Sequence, residues 1–417
     1  MQSMSSVRTR MQLSTSIIHF FNHVTLYAFP SVVIFIRDDI SLSYSEIGLL
    51  GTLPTLLMVM LTPLSGRTRS GLEPLVMLSG LLVMGLSMIM MAMAGDFLDL
   101  SVACIVLGVG GAAYHPPGFS IVSQFYEEKK AEALSLNQGA GTVGTGLAPF
   151  LLVGGANMVG WQKILIACGG ISILTIPLAA LLLVGVGDAL KSLNSKPPTP
   201  QVSDRNRVSQ KEGSILLALL TLPLLIALLL SAFRSSVFRI VTFFTVTLMT
   251  DFYDLKRSEA GLVSSIILIM GAITAFVGGY ISDRMKDGRI KILLFSGSGM
   301  VVLSLLLVLL GQQVPSLAGI GIYLIFVCFY FFAAANFAAL LAEMVPPHLR
   351  TAAYGLNFSL GQLAGALAPT IFGFLLDAYG LTAALLYLVF VSLSALIVIL
   401  ILDKVVTKHA TTDLGTL

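Results

Sequence analysis

Charge is what this sequence has least of. Asp, Glu, Lys and Arg make up 11% of its 417 residues, against about 25% in a soluble domain. No water-facing surface can be built from so little, so a soluble protein is excluded. Acid is scarcer still at depth. Glu46, Glu132, Glu259, Asp283, Glu343 and Asp377 stand near the ends of apolar runs, and none falls in the middle of one. That removes the ordinary mid-membrane carboxylate, which relays protons or attracts a cationic drug. Cysteine is rare. Cys104, Cys168 and Cys328 each lie inside an apolar run, which excludes a disulfide framework and a cysteine metal site. The sequence also lacks a P-loop, paired carboxylates at depth, G-x-S-x-G and any His/Cys metal-ligand spacing. No enzyme, cofactor or metal is expected, and a net charge of +3 gives no footing for a nucleic acid.

Apolar residues are abundant, at 56% of the chain. Runs of the roughly 20 residues needed to cross a bilayer recur from end to end. Twelve spans are predicted: 13–36, 45–65, 73–94, 98–123, 131–155, 162–186, 217–250, 258–281, 289–311, 316–342, 350–376 and 381–402. The first is too long for a signal-peptide core and lacks a small-residue cleavage site, so it reads as a retained helix. Residues 187–213 hold Lys191, Lys196, Pro197, Pro198, Pro200, Asp204, Arg205, Arg207, Lys211 and Glu212, which is linker composition. The expected domains are an N-terminal six-helix bundle (1–186), a cytoplasmic linker (187–213) and a C-terminal six-helix bundle (214–417). Basic residues in short loops set the orientation. With the N-terminus inside, eighteen Lys and Arg fall in inner segments, and four (Arg37, Lys163, Lys256 and Arg257) fall in outer ones. A multi-pass protein of the cell (inner) membrane is expected, with both termini cytoplasmic, working as a monomer in the lipid bilayer.

The two halves echo one another. Ala133–Pro149 and Ala353–Pro369 are 220 residues apart and identical at seven of seventeen positions, among them Asn137/Asn357, Gly141/Gly361 and Pro149/Pro369. Small residues let apolar helices approach closely in lipid, and each copy carries one Asn into that setting. A phosphate-cradling loop is a poor alternative for the Gly-rich stretch 139–146, which lies inside a span and follows no strand. A second echo sets Leu42–Leu49 against Leu255–Leu262, with Ser45 and Ser258 where helix N-caps belong, each followed by an acid.

Two six-helix halves, a polar linker and internal termini resemble the major facilitator superfamily. Gly279–Arg289 (G-Y-I-S-D-R-M-K-D-G-R) is similar to that superfamily's G-x-x-x-D-R-x-x-x-G-R loop. The resemblance implies an inner gate clamped by Asp283, Arg284 and Arg289. The first-half equivalent, Ser65–Arg69, keeps Arg67 but has Gly66 in place of the acid. His19–His23, Gly108–Gly118 and Phe233–Ser236 resemble the fosmidomycin-resistance group of exporters, with His23 standing where that group carries an aspartate. The implied fold is an all-α membrane protein of twelve helices in two pseudo-symmetric bundles. The implied mechanism is alternating access around a site at mid-depth.

Ionisable groups at membrane depth are functional candidates. Arg234 and Arg239 lie in the middle of span 217–250, each costing about 2.5–3.5 kcal/mol at a bilayer centre. They are expected to face a wet cavity and bind an anionic group, Arg234 above all. The alternative is pairing with carbonyls or polar groups of a neighbouring helix. His19 and His23 are i, i+4 on one helix face with Asn22 beside them. They are either proton carriers or hydrogen-bonded core residues. His115 precedes Pro116 and Pro117, which break the backbone ladder, so it lines the cavity or caps freed carbonyls. Asn137 and Asn357 are structural, gating or substrate-contacting. The expected function is secondary active transport, in the form of proton-coupled export of a small anionic or amphipathic compound. The rivals are an uptake carrier or exchanger for an organic or phosphate-bearing anion, driven by counter-substrate, and a non-transporting receptor of the same fold.

Overall fold

The computed structural model describes residues 4–126, 129–195, 221–311, 313–345 and 350–414. They form helices α1 (Met4–Leu26), α2 (Ala28–Ile40), α3 (Tyr44–Ser65), α4 (Glu73–Ala92), α5 (Phe97–Gly111), α6 (His115–Phe125), α7 (Lys130–Val159), α8 (Trp161–Leu182), α9 (Val186–Ser195), α10 (Leu222–Asp251), α11 (Arg257–Ser282), α12 (Gly288–Leu310), α13 (Ser316–Phe332), α14 (Ala334–Glu343), α15 (Arg350–Leu356), α16 (Gln362–Ala366) and α17 (Ala368–Leu414). A π-helical turn, Asn357–Gly361, lies between α15 and α16. No strand occurs among the described residues.

Eleven helical stretches among the described residues are long and apolar enough to cross a membrane. The last, Ala353–Val405, is 53 residues long, about twice the usual span. Inside it Gly380 has φ 77° and ψ −176°, a backbone that favours glycine. The stretch is therefore two spans meeting at Gly380, and the apolar spans among the described residues number twelve. The spans expected at 98–123 and 316–342 are each broken. The first stops at Gly111 and restarts at His115 ahead of Pro116 and Pro117, which have no N–H to continue the ladder. The second breaks at Ala333. The expected linker is partly helix, since α9 reaches Ser195. Its residues 196–213 lie outside the described residues, as does the 217–220 end of the seventh span.

The second echo marks helix starts, with a different capping residue. Ser43, not Ser45, caps α3, taking a bond from Glu46 N while Glu46 Oε2 accepts from Ser43 N at 2.8 Å. This is a capping box. Glu259 likewise accepts from Lys256 N at 3.1 Å, and Ser258 is already inside α11. What the echo preserves is the acid that reaches back, and the serine is incidental.

The chain forms two compact units, Met1–Ser203 with Leu255–Ile269, and Asp204–Asp254 with Met270–Leu417. In the first unit, Met11, Ile18, Met77, Leu81, Tyr114, Ile121 and Phe125 pack into a core. The start of α11 joins it. Arg257 ion-pairs with Asp38, and Phe150 N donates to Ser265 Oγ at 2.8 Å. In the second unit, Leu224, Leu230, Leu293, Leu341, Ile399 and Leu402 form the core. Large apolar side chains such as Leu174, Phe276 and Leu317 stand outward, as lipid-facing positions require.

Candidate functional site

The small-residue repeat is a packing device, and it positions the candidates. On α7, a Cβ at Gly141 would stand 2.7 Å from His19 Nε2, and one at Gly144 would stand 2.5 Å from Phe20 O. The absent side chains are what let α7 lie against the histidine face of α1. The second unit repeats the arrangement. A Cβ at Gly361 would strike Ser231, and one at Gly365 would strike Ser235. Ser231 and Ser235 lie 212 residues beyond His19 and His23, so the histidines occupy the contact positions that serines fill in the other half.

Three imidazoles converge in the first unit. His19 Nε2 lies 3.1 Å from His23 Nε2, and ligand-capable nitrogens of His19, His23 and His115 all lie within 4.8 Å of one another. His19 is fully buried, stacked on Tyr114 at 4.5 Å. Its Nδ1 meets Asn137 O at 2.9 Å and Asn137 Oδ1 at 3.0 Å. His23 Nδ1 meets Thr145 Oγ1 at 2.7 Å. Tyr114 donates to Thr15 O at 2.8 Å and sits 3.1 Å from Asn137 Oδ1. Asn137 is therefore the internal support of His19 and Tyr114. Asn22, expected beside the histidines, turns away and donates to Met84 Sδ at 3.2 Å. The sequence shows no metal-ligand spacing, and the expectation of no metal rested on that. The α5–α6 break carries His115, distant in sequence, onto the i, i+4 pair, a grouping that no local spacing shows.

Arg234 is buried in the second unit. Its Nη2 donates to Tyr330 O at 3.1 Å, and its guanidinium carbon lies 4.9 Å from the centre of the Tyr330 ring and 5.8 Å from that of Phe337. A guanidinium has five N–H donors, and one is used among the described residues. Phe238, Tyr330 and Phe331 form an aromatic cluster beside it, with ring centres 5.1–6.3 Å apart. Arg239 follows five residues later, about 140° around the helix. Its Nε is buried without a hydrogen bond, and its guanidinium carbon lies 5.8 Å from the centre of the Phe238 ring. Neither arginine is ion-paired to a carboxylate among the described residues. Ser235 Oγ bonds Gln362 Oε1 at 2.9 Å. Asn357 opens the π-turn with its Oδ1 buried and unbonded, unlike its counterpart Asn137.

The loop after α11 is knotted by Arg289. It pairs with Asp283 at 2.6 Å and Glu343 at 3.3 Å, and its Nη1 also reaches Ser282 Oγ at 3.2 Å and Asn336 Oδ1 at 3.5 Å. Arg284 takes no part in this knot. It lies over the Tyr280 ring at 3.5 Å and donates to Tyr280 O. Arg67 is exposed, and its side chain makes no bond among the described residues. The position six residues after Gly66, matching Arg289, is Leu72, so the first half lacks the base as well as the acid.

Sequence reading missed Tyr114, Thr145, Tyr330, Phe337, Gln362 and Glu343. Thr145 was within reach, because it aligns with Gly365 in the repeat and contacts His23 as Gly365 contacts Ser235. The others lie on helices whose pairing no local pattern declares.

A family model described as Major Facilitator Superfamily matches residues 15–369. Among curated proteins, the chain is 26% identical over 396 residues to the uncharacterized MFS-type transporter YfnC of Bacillus subtilis, covering 92% of this chain and 91% of that one. It is 25% identical over 272 residues to the nitrite extrusion protein of the same organism, covering 64% and 63%. It is 21% identical over 381 residues to the probable nitrate transporter NarT of Staphylococcus epidermidis, covering 89% and 90%. Among solved structures, an inward-facing, occupied bacterial homologue of the human lysosomal transporter Spinster superposes with a TM-score of 0.77 at 16% identity, covering 95% and 97%. The D-xylose–proton symporter gives 0.73 at 14%, covering 96% and 97%.

Proposed function

The chain belongs to the major facilitator superfamily, a family of transporters and not enzymes, and from that footing we propose that it moves a small organic anion across the cell membrane by alternating access. One observation carries the reading. Arg234 is 6% exposed, with one hydrogen bond and no carboxylate partner among the described residues. A buried cation left without a counter-charge is costly, and a cargo anion supplies the missing charge through charge-assisted bonds. The rings of Tyr330 and Phe337 against it, with Phe238 stacked on Tyr330, favour an anion with an apolar body. A second reading, a bare inorganic oxyanion, is favoured by the names of two relatives, the nitrite extrusion protein and the probable nitrate transporter. We read the direction as export, on the resemblance of His19–His23, Gly108–Gly118 and Phe233–Ser236 to the fosmidomycin-resistance group of exporters. The drive is proton exchange at the His19–His23 bond. The titratable groups facing that pair are His115, Tyr114 and Tyr27. We place both termini in the cytoplasm on the eighteen-to-four bias of basic residues, with residues 1–186 and 214–417 as the two halves of a monomer.

The test is anion binding to purified protein, with a panel of nitrate, nitrite, phosphate, aliphatic carboxylates and aromatic carboxylates. An aromatic or branched carboxylate is expected to bind best. Hydrogen bonds to charged groups are worth about 1.5–3 kcal/mol, roughly tenfold to hundredfold in affinity, so Arg234→Gln should weaken binding by that much. Arg234→Lys should recover only part, since it keeps the charge without the planar fork. Unchanged affinity in a folded Arg234→Gln protein removes the anionic cargo.

A further inference from the structure

We propose that His19, His23 and His115 form a binding site for one divalent transition-metal ion of the zinc or nickel class. This goes beyond the transport reading and does not depend on it, because it concerns only what the three imidazoles hold.

The argument begins with tautomers. A carbonyl oxygen only accepts, so His19 Nδ1 donates to Asn137 O at 2.9 Å. The neutral ring then keeps a lone pair on Nε2, which faces His23 Nε2 at 3.1 Å. The state of His23 turns on Thr145, which has one hydroxyl proton and two acceptors within reach. They are Gly141 O at 3.2 Å and His23 Nδ1 at 2.7 Å. When that proton goes to Gly141, His23 Nδ1 donates to Thr145 and His23 Nε2 also presents a lone pair. When it goes to His23 Nδ1 instead, His23 Nε2–H donates to His19 Nε2 and the pair is an ordinary hydrogen bond. In the first arrangement two lone pairs face one another, and a cation between them satisfies both.

A shared proton would serve two rings. A third ring is what a metal needs and a proton pair does not. His115 brings its ligand-capable nitrogen within 4.8 Å of the other two. A tetrahedral ion with bonds of about 2.0–2.1 Å sets its nitrogens about 3.3 Å apart. The His19–His23 separation is already close to that, and His115 needs a side-chain shift of an ångström or two. The outer nitrogens of His19 and His23 are held by a backbone carbonyl and a hydroxyl, the kind of support that fixes ring orientation around a metal. Imidazole suits zinc, copper and nickel, whereas an all-nitrogen set without carboxylate does not suit calcium or magnesium. Three neutral rings leave the ion's charge intact and a fourth position open, which water or an anion can fill.

The experiment uses tag-free, full-length protein in detergent, with the metal salts alone as probes. Equilibrium dialysis and calorimetry with zinc and nickel at pH 7.5 should give one ion per chain with a dissociation constant of micromolar or tighter. X-ray absorption on the nickel-loaded wild type should show three imidazole nitrogens at about 2.0–2.1 Å. His23→Gln and His115→Gln should each weaken binding at least tenfold. Thr145→Val should weaken it about tenfold, the lower end for a ligand's supporting partner. His348→Gln with His409→Gln should bind as the wild type does, since those are the chain's other two histidines. Stoichiometric binding that survives His115→Gln, loss of binding in the His348/His409 control, a non-imidazole absorption signature, or no binding at all would each overturn the site. If a histidine variant does not fold, the absorption spectrum of the wild type decides alone. None of these measurements involves Arg234 or an anion, so the anionic-cargo reading and the metal site fail or stand separately. An ion bound here would, however, take the lone pairs that the proposed proton exchange uses, and a resident metal would replace that drive.

Discussion

At the scale of single residues, the repeat pairs two asparagines that do different things. Asn137 Oδ1 lies 3.0 Å from His19 Nδ1 and 3.1 Å from Tyr114 Oη. Asn357 Oδ1 is buried with no bond. Asn137→Ala removes an acceptor shared by two buried donors, each of which keeps a backbone carbonyl. The expected cost is therefore near the low end for a buried hydrogen bond, about 1 kcal/mol. Asn357→Ala removes no bond and should cost less than about 0.5 kcal/mol. Thermal unfolding of the two purified variants checks this, and equal losses would mean that the two asparagines carry equal structural weight. The shared position of these residues was legible in the sequence, because a polar residue repeated within an apolar small-residue frame stands out. Their divergence was not. It depends on Tyr114 and His19 arriving from other helices, and in the second half Ser231 stands where His19 would be. The same limit hid the third histidine. An i, i+4 pair on one helix is a local pattern, whereas His115 joins it only because α6 starts where Pro116 and Pro117 interrupt the span.

At the scale of elements, glycine spacing decides how closely helices approach, and each glycine's surroundings say which ones matter. A Cβ at Gly365 would collide with Ser235, standing 2.7 Å from its carbonyl carbon, whereas one at Gly139 meets nothing within 4 Å. Replacing glycine by alanine inside a helix gains up to about 1 kcal/mol in propensity. Overpacking costs about 1–3 kcal/mol. Gly139→Ala should therefore hold or raise the melting temperature, and Gly365→Ala should lower it and slow transport by pushing α16 off α10. A Gly365→Ala protein as stable and active as Gly139→Ala would mean that this contact does not govern the helix pair. The twelve spans were legible from hydropathy alone, including the division that Gly380 makes in the last long stretch. The interruptions were not all so plain. Pro116 and Pro117 announce the α5–α6 break, but nothing near Ala333 announces the second. The π-turn at Asn357–Gly361 has no proline, and a residue inserted into a helical ladder leaves the apolar pattern unchanged. Such turns gather at functional sites, and this one faces the helix that carries Arg234.

At the scale of the whole molecule, the two halves share helices and a repeat but not a charge clamp. In the second unit Arg289 gathers Asp283, Glu343, Ser282 and Asn336, tying the loop after α11 to the end of α14. In the first unit Arg67 is exposed and Leu72 stands where the matching base would be. Partly exposed ion pairs are worth about 0–1 kcal/mol each, too little to matter for overall stability. A transporter's alternating states differ by only a few kcal/mol, so the same small energy has leverage there, where 1 kcal/mol is about a fivefold change in population. The clamp should therefore show in rate rather than in folding. Arg289→Gln removes all four contacts and should slow turnover most. Asp283→Asn removes one ion pair and should slow it less, and Arg67→Gln should leave it unchanged. Kd for the cargo should move by less than about fivefold in all three, and melting temperatures should stay close to the wild type. Flux in proteoliposomes and equilibrium binding on the same preparations separate these outcomes. A large affinity loss with normal turnover in Asp283→Asn would place the acid at the cargo instead. Equal slowing by Arg67→Gln and Arg289→Gln would show that the first half has a working clamp of its own, and the asymmetry between the halves would then carry no mechanical meaning.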